Sequence, residues 1–203
     1  MTAIPRLMLI VEAADVTSRR DVITSALASG VDTLQLRDRH ASGQALIAAA
    51  QTLRAISREH GAALLVNDRI DVALATAADG IHLPAGSFPT ATARRLLGAH
   101  ALIGRSTHSP AEAEAAAAAG ADYVVLGPIF ATPSKLAFGP PLGLAAVAAA
   151  HPSRPLIAIG GIDAANAGDV RRAGAYGVAV IRAILDARDP AATTRAIRGA
   201  LAA

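Results

Sequence analysis

The residues of this 203-residue chain best equipped for chemistry recur at intervals, most of them just after a short apolar run. They are Gln35-Leu36-Arg37-Asp38-Arg39, Asn67-Asp68-Arg69, His82, Arg105-Ser106-Thr107-His108, Thr132-Pro133-Ser134-Lys135, Gly160-Gly161 and Ile181-Arg182. Arginines, side-chain amides, hydroxyls and a glycine pair in this mixture suit the handling of anions, phosphate above all. A guanidinium grips phosphate with a planar fork, whereas a lysine acts as a compact point charge. Glycine lets backbone amides approach a ligand where no Cβ intervenes. Gly160-Gly161, with the amides after Val180, forms a candidate phosphate site, the alternative being a pair that packs a helix. Arg37 shares a face with Gln35 and Arg39 if its strand extends that far. Its charge then calls for an anionic partner, either a phosphate or a structural ion pair to Asp38 or Asp68. Asp68 is a candidate Mg²⁺ ligand, since Mg²⁺ is commonly held by one or two carboxylates plus substrate phosphates; a helix cap is the alternative. His82 and His108 are acid–base candidates or structural histidines. Lys135 is the one lysine among 19 basic residues, in a long Gly/Pro/Thr/Ser segment (131–141) that reads as an active-site lid.

The apolar runs that precede these groups are 7–12, 33–37, 63–67, 80–83, 101–106, 123–127, 156–160 and 177–181. They are short and continuously apolar, the pattern of strands buried on both faces. Ala-rich helical stretches lie between them, at 17–28, 42–60, 70–77, 89–97, 110–119, 144–150, 164–173 and 191–201. Ser109-Pro110 reads as an N-cap with proline at the first helical position, and Gly30, Gly120 and Gly174 as helix-ending glycines. Strand and helix alternating eight times predict a parallel sheet closed as a single-domain (β/α)₈ TIM barrel spanning 1–203, with an open doubly wound sheet as the alternative. The Ala-Gly-x-Asp and Ala-Gly-Ala-Tyr segments that enter strands read as turns at the barrel bottom. Active sites of such barrels lie at the C-terminal strand ends, where these polar groups cluster.

Composition removes other classes. There is no cysteine, so disulfides, thiolate metal sites and a cysteine nucleophile are excluded. Aromatic residues make up 2% of the chain, and the basic residues are scattered at a net charge of +3, so neither a base-stacking platform nor a basic stripe suggests nucleic acid. No apolar stretch reaches the ~18 residues of a membrane span. The first residues are too polar for a secretory signal, and a cytoplasmic protein is expected.

Taken together, these residues resemble the thiamine-phosphate synthase family and its TenI-like relatives. The matching motifs are QLRDR (35–39), NDRIDVA (67–73), ADGIHL (78–83), IGRSTHSPAEA (103–113), GADYVVLGPIFATPSK (120–135), GPPLGL (139–144), IAIGGI (157–162) and GAYGVAVIRAI (174–184). The resemblance implies a (β/α)₈ barrel that joins hydroxymethylpyrimidine diphosphate to a thiazole phosphate. Pyrophosphate leaves first, and the thiazole nitrogen then attacks the stabilised pyrimidine cation. By position, the resemblance assigns Gln35, Arg37, Arg39, Asn67 and Lys135 to the pyrimidine diphosphate and Asp68 to Mg²⁺. It sets Ser106 near the reacting pyrimidine, Thr132 and Ser134 over the thiazole phosphate, and Gly161 and Ile181 around that phosphate through backbone amides. On this reading Lys135, Arg37 and Ser106 carry the catalysis, and the partners are small phosphorylated molecules, with no nucleic acid and no membrane.

The chain departs from the synthase pattern in four places. Arg39 stands for a lysine, Arg182 for a serine and Ser134 for a threonine, and Ser87, within Pro84-Ala85-Gly86-Ser87, replaces the second metal-binding aspartate. That last stretch resembles the TenI-like branch, whose characterised activity is a metal-free tautomerisation of a thiazole carboxylate phosphate. The TenI-like pattern has a catalytic histidine where this chain has Pro128. A TenI-like thiazole tautomerase and a non-catalytic thiamine-pathway binding protein are therefore the alternatives to a synthase.

Overall fold

The computed structural model describes residues 3–132 and 140–202. Among them the elements run in the order β1 (Leu7–Val11), α1 (Ala13–Ser18), α2 (Arg20–Ala28), β2 (Thr33–Leu36), α3 (Gly43–Glu59), β3 (Ala63–Asn67), α4 (Ile70–Ala75), β4 (Gly80–Leu83) and α5 (Thr90–Leu97). They continue with β5 (Leu102–Thr107), α6 (Pro110–Ala118), β6 (Tyr123–Leu126), α7 (Gly143–Ala149), β7 (Leu156–Ile159), α8 (Ala167–Arg172), β8 (Gly177–Val180), α9 (Arg182–Leu185) and α10 (Pro190–Ala202). All neighbouring strands pair in parallel, and β8 pairs with β1, so the sheet closes as a barrel. The open doubly wound alternative is thereby excluded.

Continuous apolar strands are required because each strand is covered twice. Leu7, Leu9, Leu34, Leu36, Leu64 and Val66 point outward and pack beneath the helices. The alternate residues Met8, Ile10, Leu65, Leu102, Tyr123, Val125, Ile157 and Ala179 fill the barrel interior. This period of two carries inward-facing polar residues up to the C-terminal rim. On the outside, α3 buries Leu46, Ala49, Ala50, Leu53 and Ile56, the stripe expected of a helix covering a sheet. Ser42 and Ser109 cap α3 and α6 through the amides of Ala45 and Glu112.

At the bottom rim, an acid stands immediately before each of three strands. Asp32 accepts the amide of Arg6 (3.1 Å) and pairs with Arg198 (2.7 Å). Asp79 accepts the amide of Leu64 (2.8 Å) and pairs with Arg54. Asp122 accepts the amide of Ile103 (2.7 Å) and pairs with Arg94 (2.6 Å). Tyr176 takes the equivalent place before β8, with the Arg6 guanidinium 4.8 Å from its ring centroid. Each acid thus ties the start of the preceding strand to a helix. The glycines of the incoming turns, Gly30, Gly120 and Gly174, all have positive φ, as a helix-ending glycine should.

Two elements differ from the sequence expectation. The helix expected at 17–28 is two helices, α1 and α2, with Arg19 between them at φ −130° and ψ 26°. The chain turns there because a box formed by Glu12 and Asp15 starts α1 early, and the Arg19 guanidinium reaches across to the Leu185 carbonyl (2.7 Å) and to Asp186 (2.5 Å). The short helix α9 was not anticipated; four residues are too few to show a helical period.

Candidate active site

The upper rim gathers the strand ends. Gln35 stands on β2 in register with Ile10 and Leu65 and is 2% exposed, yet its side-chain amide forms no hydrogen bond among the described residues. Strand β2 ends at Leu36, and the amide of Arg37 extends the ladder by one bond to Val11 (2.8 Å). The strand does not reach Arg39, which is exposed; the expectation of two arginines on one inward strand face is corrected accordingly. The chain leaves β2 because Asp38 gathers three backbone amides, those of Ala13 (3.3 Å), His40 (2.9 Å) and Ala41 (3.0 Å). These bonds, that of His40 foremost, hold its carboxyl below the usual range. Asp38 is therefore engaged, and neither it nor Asp68 forms an ion pair with Arg37. Burial, and then the nearby Arg39 charge, lowers the pKa of the Arg37 guanidinium, while Glu12 opposes that shift. Arg37 is half-buried without an ion-pair partner among the described residues.

Asn67 closes β3 in register with His82, and Asp68 follows in the left-handed region at φ 65°. Aspartate tolerates that backbone better than most residues. The Asp68 amide donates to the His82 carbonyl (2.9 Å), which brings its carboxylate back to the neighbouring loop, where the Ser87 hydroxyl donates to it. The replacement of the second carboxylate is thus a direct contact: a hydroxyl lies against the one remaining acid. Arg105, whose role the sequence did not reveal, holds this loop by donating to the carbonyls of Phe88 (2.5 Å) and Ala85 (2.7 Å), on either side of Ser87. Its position at a strand end was the available signal. No group of three or more His, Cys, Asp or Glu suited to a metal occurs among the described residues. The donor set therefore fits Mg²⁺ in a limited way, through one carboxylate and a hydroxyl, with the remaining sites left to substrate oxygens and water.

His82 points inward from β4 and is buried. Its Nε2 lies 2.7 Å from the Ser106 hydroxyl, and its Nδ1 lies 3.2 Å from the Tyr123 hydroxyl. Burial, followed by the Arg37 and Arg105 charges, lowers its pKa to about 3, so the imidazole is neutral at physiological pH. Of the two readings open for His82, its doubly hydrogen-bonded, neutral ring suits the structural one. His108 is exposed, and its Nδ1 lies 2.8 Å from the Gly127 carbonyl. A carbonyl only accepts, so Nδ1 carries the proton, and His108 ties the end of β5 to the end of β6.

Gly160 and Gly161 have φ of 101° and 66°. A Cβ on Gly160 would lie 2.7 Å from Pro128, and one on Gly161 2.7 Å from the Phe130 Cβ, so the pair does perform a packing role against 128–131. It also leaves a donor available. Gly161 follows the end of β7 and Ile181 the end of β8, two strands that pair up to Ile159 and Ala179. Neither of those two amides is hydrogen-bonded among the described residues. Arg182 is exposed at the start of α9, and Thr132 is half-buried at the edge of the following segment. Ser134 and Lys135, and with them most of the expected lid, lie outside the described residues.

Comparisons with known proteins place the chain in a family. A profile of the thiamine monophosphate synthase family matches residues 7–184. A thiamine-phosphate synthase of Methanoculleus marisnigri is 50% identical over 185 residues, covering 90% of this chain and 88% of the relative. One of Chloroflexus aurantiacus is 47% identical, covering 89% of this chain and 84% of the relative. Among solved structures, the thiamine phosphate pyrophosphorylase of Pyrococcus furiosus superposes with a TM-score of 0.87 at 32% identity, covering 97% of this chain and 95% of that one. A 3-hexulose-6-phosphate synthase of Salmonella typhimurium, at 18% identity and a TM-score of 0.69, shares the fold. With its closed barrel and these relatives, the chain belongs to the thiamine monophosphate synthase family.

Proposed function

We propose that this chain is a thiamine-phosphate synthase, joining hydroxymethylpyrimidine diphosphate to a thiazole phosphate with release of pyrophosphate. The observation that carries this reading is the half-buried Arg37, unpaired among the described residues, two residues along from Gln35, whose side-chain amide makes no hydrogen bond among them. A buried guanidinium without an anion is costly, and a diphosphate supplies the charge that the protein withholds. In the reaction, the bond from the pyrimidine methylene carbon to the diphosphate oxygen breaks, and its electron pair leaves with the diphosphate. Arg37 stabilises the negative charge that develops there, an interaction stronger in the transition state than in the substrate. Gln35 and Asn67 orient the pyrimidine diphosphate, and Ser106 faces the reacting ring. The amides of Gly161 and Ile181 hold the thiazole phosphate so that its ring nitrogen donates an electron pair to the exposed carbon. Lys135, Ser134 and Thr132 complete the set around the two phosphate groups, as does the Arg39 charge at the rim. When bound, a Mg²⁺ ion held by Asp68 and diphosphate oxygens supplies further positive charge to the leaving group.

Both ring nitrogens of His82 are engaged by Ser106 and Tyr123, and Nδ1 of His108 by the Gly127 carbonyl, which supports a synthase over a tautomerase, since the latter needs a proton donor and acceptor free to meet the substrate. The Ser87–Asp68 contact is the observation that suits the metal-free tautomerase. One assay separates them. Purified protein with hydroxymethylpyrimidine diphosphate, thiazole phosphate and Mg²⁺ is expected to form thiamine phosphate, and EDTA to abolish it. No product from folded protein overturns the synthase reading, and turnover of the thiazole carboxylate phosphate instead would establish the tautomerase. Turnover indifferent to EDTA would remove Asp68 from the metal role.

A further inference from the structure

We propose that Tyr123 sets the direction of the His82–Ser106 hydrogen bond and so makes Ser106 a donor toward the substrate. Three adjacent strands bring this chain of groups together. His82 on β4, Gly104 on β5 and Tyr123 on β6 stand in one register row, all facing the barrel interior. The middle position has no side chain, so the two flanking rings meet across it, with centroids 5.8 Å apart and planes inclined by 30°. Gly104 is required there: a Cβ would lie 2.0 Å from the Tyr123 Cζ and 2.3 Å from its hydroxyl oxygen. The barrel therefore keeps a space for this phenol within an apolar cluster that includes Leu65, Leu102 and Val125. Apolar packing alone does not call for the hydroxyl.

The direction follows from accounting for each hydrogen. Tyr123 is fully buried, and among the described residues its hydroxyl has one partner, Nδ1 of His82. A buried O–H needs an acceptor, and Nδ1 is the one available. Tyr123 therefore donates, and Nδ1 is the unprotonated nitrogen. A neutral imidazole then carries its hydrogen on Nε2, which points at the Ser106 oxygen 2.7 Å away. Ser106 accepts that bond, and its own hydrogen is free to turn to the half-buried upper rim. The reverse direction would strand the phenolic hydrogen in the apolar interior and tie the Ser106 hydrogen to Nε2. Tyr123 and His82 are positioning residues in this scheme, and Ser106 is the group that meets the ligand. Resting on the synthase reading above, the acceptor is a ring nitrogen of the pyrimidine substrate.

Two measurements test this, one of them independent of any activity. A long-range ¹H–¹⁵N correlation spectrum of ¹⁵N-histidine-labelled protein reports which nitrogen of each ring is protonated, and His82 is assigned through its contacts to Tyr123. The expected result is the neutral Nε2–H form; an Nδ1–H form overturns the proposal, whether or not the protein turns over these substrates. In the synthase assay, Tyr123→Phe keeps the ring but removes the donor and is expected to lower kcat by about tenfold with KM little changed, the scale of one hydrogen bond. In a Ser106→Ala background the same change is expected to have no further effect on kcat, because it acts through Ser106. Losses that multiply in the double variant, as a purely structural role would produce, also overturn it. His82→Gln, which keeps a donor near the Nε2 position, is expected to retain more turnover than His82→Leu, and equal losses count against the scheme. An Nε2–H ring in a protein without synthase turnover would remove the proposed function and leave the relay standing.

Discussion

The two ends of this barrel use the same residue types to opposite effect. At the bottom, Asp32, Asp79 and Asp122 each accept a backbone amide and pair with an arginine from a helix. At the top, Arg37 has no ion pair, Gln35 no side-chain hydrogen bond, and the Gly161 and Ile181 amides no acceptor among the described residues. The ion pairs at the bottom hold strands and helices together, whereas the groups at the top make no such ties. The bottom is not free of unpaired atoms, since Arg54 Nε and Arg171 Nε are buried there without a partner among the described residues, but the unpaired groups at the top are reachable from the rim, where a ligand can satisfy them.

The largest effect that would separate the ends is on Arg37. Arg37→Ala is expected to lower kcat/KM by about 100-fold or more, the scale of removing one preorganised charge from a transition state. The same change should leave Tm unchanged or slightly raised, since an unpaired half-buried charge is lost. A fall of several degrees in Tm would mean that Arg37 belongs with the structural ion pairs. The bottom should behave in the opposite way. Asp122→Ala leaves Arg94 and the Ile103 amide without their partner, and a loss of about 2 kcal/mol is expected in urea unfolding, with kcat of the folded protein unchanged.

His82 lies between the two ends and tests the comparison through pH. Its folded pKa of about 3 lies below the ordinary 6.5, so below pH 6.5 the unfolded chain takes up a proton that the folded one refuses. The stability tied to this ring is complete above pH 6.5 and declines as pH falls toward 3, by about 2 kcal/mol at pH 5. His82→Gln should flatten that part of the stability profile; an unchanged slope would show that the ring is not held neutral. The smallest effect concerns Ser87. Ser87→Asp places a second acid against Asp68 and is expected to tighten Mg²⁺ binding several-fold by calorimetry, with little change in Tm.

Much of this was legible along the chain, because the barrel repeats its logic. Each short apolar run became a strand, and the polar groups at the described strand ends came to the upper rim, since parallel strands share one direction. Ser87 was recognisable as a substituted acid, and the structure sets its hydroxyl against Asp68. What escaped were pairings between distant positions. The turn acids at the bottom could be placed, but not their arginine partners, which come from helices elsewhere in the chain. Tyr123 read as one more apolar strand residue, and Arg105 as one more rim cation.

The sequence by itself determined the strand–helix alternation and the end at which the polar groups collect, while closure of the barrel was decided by the pairing of β8 with β1. The first two follow from local periodicity, from turn chemistry and from the fixed direction of parallel strands. Only the tertiary structure decided which groups are satisfied. Whether Arg37 is paired, whether His82 is neutral and which way its hydrogen bonds run depend on register across neighbouring strands. A shift of one residue in β5 would replace Gly104 with a side chain between His82 and Tyr123, and no local pattern in the chain encodes that row.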